Sequence, residues 1–549
     1  MTDALSPSPT SAIAAFAKLN FLVLDDFENF RLSMRQMLRS CGANRIELVG
    51  QANQAIQYCT YNPVDVVLCD YNLGGGRNGQ HVLEELRHKK LLRRSSLFLM
   101  VTAETSKEMV MGAREYQPDG YLTKPINRAM LEKRLGALID QRNALLPINR
   151  EIDRENYPEA ISQCLQALPR QPRYKTWLMK TLGDLYYRLG DLAHARKIYE
   201  DVLAQRELSW ARLGLCRVLL ANGSHDEAVE QLRALIAKHP DYMEGYDLLA
   251  EGLEKQGRPV RAQKVLEDAA ERSPNALLRH RQLAELAGIN QDVETATSAW
   301  RQTVSLGTHS IHDSSAHYLA LAQSLSDLSD GDTSEEAGQQ AAEALAVLGR
   351  MEKRFEDDHL SVRSAIIQCR VHAGQGRQAE ASRLLAQVRE SLPEDDQLPA
   401  DMGIDFARTL FRLGQEDDAK TLLKGLAQRF SDDPDVLQQI ESLLDEPVGF
   451  RQKLKARALN RDGIQAFESG DLKAAAEAFQ EALGVVPDHA ALNLNLVQVL
   501  IKQYLSGGRD AAVLKRCQTC LDRLGTLPEQ HRQYRRYRAL QQKLEGLLS

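Results

Sequence analysis

The chain has 549 residues, 43% of them hydrophobic, with a formal net charge of −6 at pH 7 and eight cysteines spread along its length. That length exceeds what one core supports and predicts several domains or a repeat array. The longest apolar runs fall well short of the roughly 18 residues a membrane span needs, the scattered cysteines fit a reducing, cytoplasmic compartment, and the mild acidity argues against a nucleic-acid surface.

Residues 1–17 read as a disordered leader, with Ser6, Pro7, Ser8 and Pro9 and no basic start or long apolar stretch. Phe21–Leu24 is a short strand that ends in Asp25 and Asp26. Asn29 to Cys41 carries Phe30, Met34, Met37 and Leu38 at helical spacing and stops at Gly42. Ile46–Val49 is a second strand and Ala52–Thr60 a second helix. Val66 to Cys69 is apolar without alternation, the pattern of a strand buried on both faces, and it runs into Asp70. Gly79–Lys90 is helical. Leu97–Val101 is a fourth strand ending in Thr102, followed by a helix over 106–116. Asp119–Leu122 is a short fifth strand leading to Lys124, and Asn127–Leu145 is the closing helix.

Strand alternating with helix predicts a doubly wound α/β domain around a five-stranded parallel sheet. In such a sheet the carboxyl ends of the strands meet at one crevice, where ligands bind. Asp25, Asp26, Asp70, Thr102 and Lys124 all arrive there. Clustered carboxylates repel one another unless a cation joins them, and hard oxygen ligands suit Mg²⁺. Lys124 adds a point charge suited to a phosphoryl oxygen.

These residues, with Ala103, Tyr121 and Pro125, resemble the receiver domain of two-component response regulators, a flavodoxin-like fold, over residues 18–146. The resemblance implies that Asp70 is the phosphoacceptor and that Asp25, Asp26, Asp70 and the main-chain carbonyl of Asn72 hold Mg²⁺. It also implies that Lys124 and Thr102 grip phosphoryl oxygens, that Thr102 and Tyr121 form the conformational switch, and that the Lys124–Pro125 bond is cis. Glu104 and Asn72 would tune the lifetime of the phosphoryl group. The chain departs from that family in one loop. Where the family has a proline and then a glycine eight residues after the acceptor, this chain has Leu73-Gly74-Gly75-Gly76-Arg77-Asn78-Gly79, one residue longer and without proline.

Beyond residue 147 strand signals vanish. An alanine preceded five positions earlier by glycine recurs: Gly190/Ala195, Gly223/Ala228 and Gly257/Ala262, with Ala296 continuing the series without its glycine. Tyr199, Leu232, Leu266 and Trp300 follow four positions later. Gly376/Ala381, Gly414/Ala419 and Gly470/Ala475 repeat the pair. Antiparallel helices need small residues where they approach and a turn residue between them. A period of 33 to 34 residues with this pattern resembles tetratricopeptide repeats (TPR), so the fold expected after the receiver is an all-α TPR-type solenoid. The expected blocks are a first array over 147–325, a degenerate repeat and polar loop over 326–358, repeats over 359–445, and a C-terminal TPR with terminal helices over 446–549. Asn156 to Leu168 reads as a second repeat helix whose partner is either the receiver's closing helix or residues 147–153. Cys517 and Cys520 read as one turn of a helix rather than a metal or redox pair.

No catalytic motif of a cyclase, phosphodiesterase, kinase or hydrolase is present, and the chain is expected not to be an enzyme. The function this implies is a phosphorelay response regulator, phosphorylated on Asp70 by a sensor histidine kinase or phosphotransfer protein, with the array as a protein-binding output. The alternative is a phosphate sink or kinase-docking modulator that competes with another regulator; an RNA-binding array is the weakest reading. No membrane or nucleic acid is expected as a partner, and a homodimer is compatible with either signalling role. Trp177 and Trp210, 33 residues apart, with Lys180, Arg217 and Arg281, are the candidate groove residues for a protein partner. The competing assignment for both tryptophans is packing between repeats.

Overall fold

A computed structural model describes residues 16–548 apart from 75, 104–116, 333, 393–397, 446–449, 507–510, 526 and 528–532. Residues 1–15, Glu104 and the helix expected over 106–116 lie outside the described residues; Phe16, expected within the disordered leader, is instead buried in the sheet's core and stacked on Phe21 at 6.0 Å. The chain forms two compact units, Met1–Ser314 and Ser315–Ser549.

The first unit opens with the expected sheet. β1 (Asn20–Leu24), β2 (Arg45–Val49), β3 (Val66–Asp70), β4 (Leu97–Thr102) and β5 (Gly120–Thr123) pair in parallel in the order β2-β1-β3-β4-β5. Successive side chains on a strand point to opposite faces, and two core layers result. Phe21, Val23, Val66, Leu68, Leu97 and Leu99 pack on one face, against Met34 and Leu38 of α1 (Glu28–Ser40) and Leu131, Leu135 and Ile139 of α4 (Arg128–Asp153). Leu22, Leu24, Val67, Cys69, Phe98 and Met100 pack on the other, against α2 (Ala52–Tyr61) and Val82, Leu83 and Leu86 of α3 (Gly79–His88). Every residue of β3 is buried, as its unbroken apolar run requires.

The closing helix is longer than the sequence predicts. α4 does not stop at Leu145 but continues through Pro147 to Asp153. An interior proline removes one helical hydrogen bond and its ring crowds the carbonyl four residues back, and here packing offsets that cost. Leu145, Ile148 and Ile152 bury against Ala160, Ile161 and Cys164 of α5 (Tyr157–Arg170) and Leu178 and Leu182 of α6 (Lys175–Arg188). The helix therefore closes the sheet with its first half and begins the array with its second, so the unpaired repeat helix finds its partner in the receiver's own last helix.

The array continues as α7 (Leu192–Gln205), α8 (Ser209–Ala221), α9 (His225–Lys238), α10 (Met243–Lys255), α11 (Pro259–Arg272), α12 (Leu277–Asn290) and α13 (Val293–Gly307). The glycine–alanine period has a direct cause. Gly190, Gly223 and Gly257 take positive φ just past a helix end, the left-handed cap that glycine adopts freely. Ala195, Ala228 and Ala262 are then fully buried at the next crossing. Where the glycine is missing, Gln291 adopts the same left-handed φ of 63°, so the turn survives the substitution. Tyr199 fills the gap four residues after Ala195; a Cβ on Gly183 or Gly214 would strike its ring.

The second unit is all helical: α14 (Ser315–Ser329), α15 (Glu335–Arg354), α16 (Asp358–Gly374), α17 (Gln378–Ser391), α18 (Ala400–Arg412), α19 (Glu416–Arg429), α20 (Pro434–Asp445), α21 (Phe450–Ser469), α22 (Leu472–Val485), α23 (Ala490–Ser506), α24 (Ala511–Leu524) and α25 (Tyr534–Leu548). Within the expected degenerate repeat and polar loop, the stretch 326–336 is helical at its two ends with turn residues Asp330 and Gly331 between: Ser326 and Ser329 are buried in the last turn of α14, and Glu335 and Glu336 open α15 behind the Ser334 cap. Small hydroxyl side chains bury there because their oxygens have main-chain partners, as the Ser329 hydroxyl does on Ser326 O. Gly463 lies under the Phe479 ring as Gly183 lies under Tyr199. Cys517 and Cys520 are both buried on α24, and burial pushes the Cys517 thiol up to about 11, so neither is a thiolate at neutral pH. Among the described residues no helix is long and apolar enough to cross a membrane.

Candidate functional site

β1 and β3 are adjacent strands, and their carboxyl ends deliver Asp25 and Asp70 side by side. Both are buried, while Asp26 is exposed at the rim. Carboxylate oxygens of all three lie within 4.8 Å of one another. Lys124, just beyond β5, bridges the buried pair: its Nζ is 2.8 Å from Asp25 Oδ2 and 3.0 Å from Asp70 Oδ2. The Phe30 ring lies 4.2 Å from the same ammonium and walls that side of the crevice. The other Asp25 oxygen accepts the Phe27 N–H, which fixes the β1–α1 turn around the carboxylate. Lys124–Pro125 is a cis peptide.

The charges do not balance internally. Three carboxylates face one ammonium, a net of about −2 in a partly desolvated crevice. Burial pushes the Asp70 carboxyl above its ordinary range and the Asp25 charge adds to that, against the hydrogen bonds from Lys124 and the Tyr71 N–H. Burial alone would lower the Lys124 ammonium, but its bonds to Asp25 and Asp70 outweigh it and hold it above the ordinary value. A divalent cation with oxygen ligands fits this donor set and supplies the missing charge. Asp25, Asp26 and Asp70 would hold it.

Thr102, the last residue of β4, is half-buried; its carbonyl accepts the Lys124 N–H at 2.8 Å, and it is in register with Thr123. Tyr121 is half-buried against the core layer that α2 and α3 cover. Asn72 forms an isolated bridge with Asn78 across the glycine-rich loop, and its side-chain oxygen accepts the Gly74 N–H at 3.3 Å. Gly79 then packs on the end of β3: a Cβ there would collide with the Asp70 carbonyl and come within 2.8 Å of Met100 Sδ. Asn78 caps α3 reciprocally with His81. Its Oδ1 accepts the His81 N–H at 3.0 Å, and His81 Nδ1 accepts the Asn78 N–H at 3.1 Å.

The longer loop has a partner that the sequence does not announce. Residues 308–314, which come directly after α13, touch both the loop and α3. A Cβ on Gly76 would run into the His309 ring, and Gly76 sits at φ 90°. His309 also meets His81 edge to face, ring centroids 6.2 Å apart. The Ser310 hydroxyl donates to Glu84 Oε2 at 2.6 Å, and His312 Nε2 lies 3.6 Å from Glu84 Oε1. His312 and His88 stack edge to face at 5.4 Å. Glu84 is buried in the contact. Burial, then the neighbouring His309 and Arg77, bring His81 down to about 4, so it is neutral at pH 7 and able to accept through Nδ1.

The expected groove residues lie on α6 (Trp177, Lys180), α8 (Trp210, Arg217) and α12 (Arg281). Trp177 is half-buried beside the cluster that holds Leu145, Ile148 and Leu178, and Trp210 packs edge to face on Tyr199 with centroids 6.3 Å apart, so both rings have packing contacts. Lys180, Arg217 and Arg281 are exposed, and Arg281 pairs with Glu285 on its own helix at 3.5 Å. Glu84, His309, Ser310 and His312 escape sequence reasoning because no local pattern links segments so far apart in the chain.

Residues 21–136 match the family model of the response regulator receiver domain, and residues 186–252 and 462–509 match tetratricopeptide repeat models. Over 123 residues the chain is 27% identical to chemotaxis protein CheY-3 of Vibrio cholerae serotype O1, which covers 22% of this chain and 93% of that protein. The chemotaxis response regulator CheY4 of Vibrio cholerae, as a solved structure, is 25% identical, covers 21% of this chain and 95% of its own, and gives a TM-score of 0.20. A tetratricopeptide repeat protein from Parabacteroides merdae is 12% identical, covers 52% of this chain and 97% of its own, at a TM-score of 0.29. The chain carries an N-terminal CheY-like receiver domain with TPR repeats downstream.

Proposed function

We propose that this protein is a response regulator in which Asp70 accepts a phosphoryl group from a histidine kinase or phosphotransfer protein and the helical array is the output. The observation that carries the proposal is the Lys124 ammonium bridging buried Asp25 and Asp70 with Asp26 alongside. An Asp70 oxygen forms the new O–P bond as the P–N bond to the donor imidazole breaks, and that imidazole keeps the electron pair and takes up a proton. Mg²⁺ held by Asp25, Asp26, Asp70 and the Asn72 carbonyl would neutralise phosphoryl oxygens as charge shifts between them. Lys124 orients one phosphoryl oxygen and Thr102 another, and burial keeps bulk water from the acyl phosphate. Thr102 drawn toward the phosphoryl group would free space for the Tyr121 ring.

The direct contact of residues 309–312 with the acceptor loop and α3 supports an in-chain readout over a plain phosphate sink. Phosphorylation adds nearly two negative charges next to that loop, and Gly76 and Glu84 are where the array feels the change. The output is then binding of a protein partner rather than catalysis. Asp70→Asn should abolish labelling by acetyl phosphate in the presence of Mg²⁺, while the full-length fold persists. Undiminished labelling of the variant would defeat the assignment.

A further inference from the structure

The carboxyl edge of the sheet holds the acceptor site; the opposite edge holds a second cavity. It has a volume of about 1120 Å³ and lies between the starts of β4 and β5, the end of α3, the second half of α4 and α6. In a chain of net charge −6, eight lysines and arginines line it against three carboxylates. Half of these cations are accounted for. Lys90 pairs with Glu155, Arg154 with Glu151, Arg142 with Asp65 and the Ser95 carbonyl, and Arg87 with the Gln117 carbonyl. Arg93, Arg94, Arg150 and Arg188 have no ion-pair partner among the described residues.

Unpaired cations normally spread into solvent, where their repulsion is screened. These four, each solvent-exposed, line one open cavity. Arg94 is open to the cavity's water yet surrounded by protein; that burial first, then the Arg188 charge, lowers its pKa despite Asp184 and Asp153 nearby. Two further features are not those of a mere cation cluster. Asn149 lines the cavity, is 7% exposed, and its Oδ1 has no hydrogen-bond partner. Trp177 presents a half-buried ring to the same space.

We propose that this cavity binds a nucleotide, with its phosphates on the four unpaired arginines and its base against Trp177 and Asn149. Guanidinium forks match phosphate oxygens in pairs. The indole offers a stacking face, and the amide oxygen needs a donor such as an exocyclic amine. The volume suits a drug-sized to nucleotide-sized ligand. The site is separate from the acceptor crevice, although α3 reaches from one to the other.

The test is calorimetric titration of the full-length protein with ATP, GTP, adenosine and inorganic pyrophosphate, each without Mg²⁺ and at 150 mM salt. ATP or GTP should bind saturably, one per chain, and at least tenfold tighter than either adenosine or pyrophosphate. Arg94→Gln/Arg188→Gln should weaken that binding at least tenfold. Lys353→Ala/Arg354→Ala, the same loss of charge in the other unit, should leave it unchanged. Arg188→Gln alone, at an exposed helix end, serves if the double variant does not fold, with a several-fold loss expected. The proposal is overturned by variants that bind like the wild type, by pyrophosphate as tight as ATP, or by no saturation with either nucleotide at 1 mM. Binding of an acidic peptide without binding of nucleotide overturns it in favour of a protein ligand.

Discussion

Ser310→Ala probes the link between array and receiver with the smallest change available. It removes the hydroxyl that donates to Glu84 at 2.6 Å and accepts the His312 N–H at 3.1 Å. Glu84 stays buried, with His312 still 3.6 Å away. A hydrogen bond to a charged group contributes about 1.5–3 kcal/mol, and a buried acceptor left short of a donor costs a similar amount. The loss falls on docking of residues 308–314 rather than on the core, since Ser310 belongs to neither hydrophobic layer of the sheet. About 1.5–3 kcal/mol corresponds to roughly a 10- to 150-fold shift toward the undocked form. Native-state hydrogen exchange reads this directly. Amides of 308–314 and of the first turns of α3 should exchange at least tenfold faster, while the urea midpoint stays close to that of the wild type. Unchanged protection across those residues would refute the idea that this contact holds the two parts together.

Gly76→Ala adds a methyl group that meets the His309 ring at a positive φ, so it should cost about 1–2 kcal/mol in backbone strain and release the same segment; acetyl phosphate labelling should persist while exchange of 308–314 rises. His81 gives a pH dependence whose direction comes from its lowered pKa. It is neutral when docked and takes a proton more readily when released, so the stabilisation is present above about 6.5 and is lost as pH falls toward about 4. Protonation at Nδ1 also breaks the reciprocal cap with Asn78. Thermal melts from pH 7 to 4 should show a steeper decline for the wild type than for His81→Gln, and parallel curves would contradict the assignment.

The acceptor crevice is readable because each of its parts ends a strand. Val66–Cys69 has no polar residue, so it must be covered on both faces, and the carboxylate that ends such a strand lies at the ligand edge. The repeat is readable for a related reason: left-handed turns and close crossings admit few residue types, so Gly190 and Ala195 recur with the geometry. Gln291 marks the limit of that logic, since the turn forms there without glycine. Pro147 hides the true end of α4, because proline is a stop signal in isolation and only burial of Leu145, Ile148 and Ile152 by later helices carries the helix through it. The extra residue in the Gly74–Gly79 loop is visible as a departure, but its partner, the His309 ring, lies far along the chain. The basic cavity is invisible for the same reason: Arg94, Arg150 and Arg188 come from three separate segments, each unremarkable alone.

The most direct measurement is amide exchange of the full-length protein with and without beryllium fluoride and Mg²⁺, in the wild type and in Asp70→Asn. If Asp70 takes a phosphoryl group and residues 308–314 read it, the mimic changes exchange in α3 and in 308–314 of the wild type and in neither segment of the variant. Identical exchange in 308–314 with and without the mimic, at a concentration that protects residues around Asp70, would contradict it.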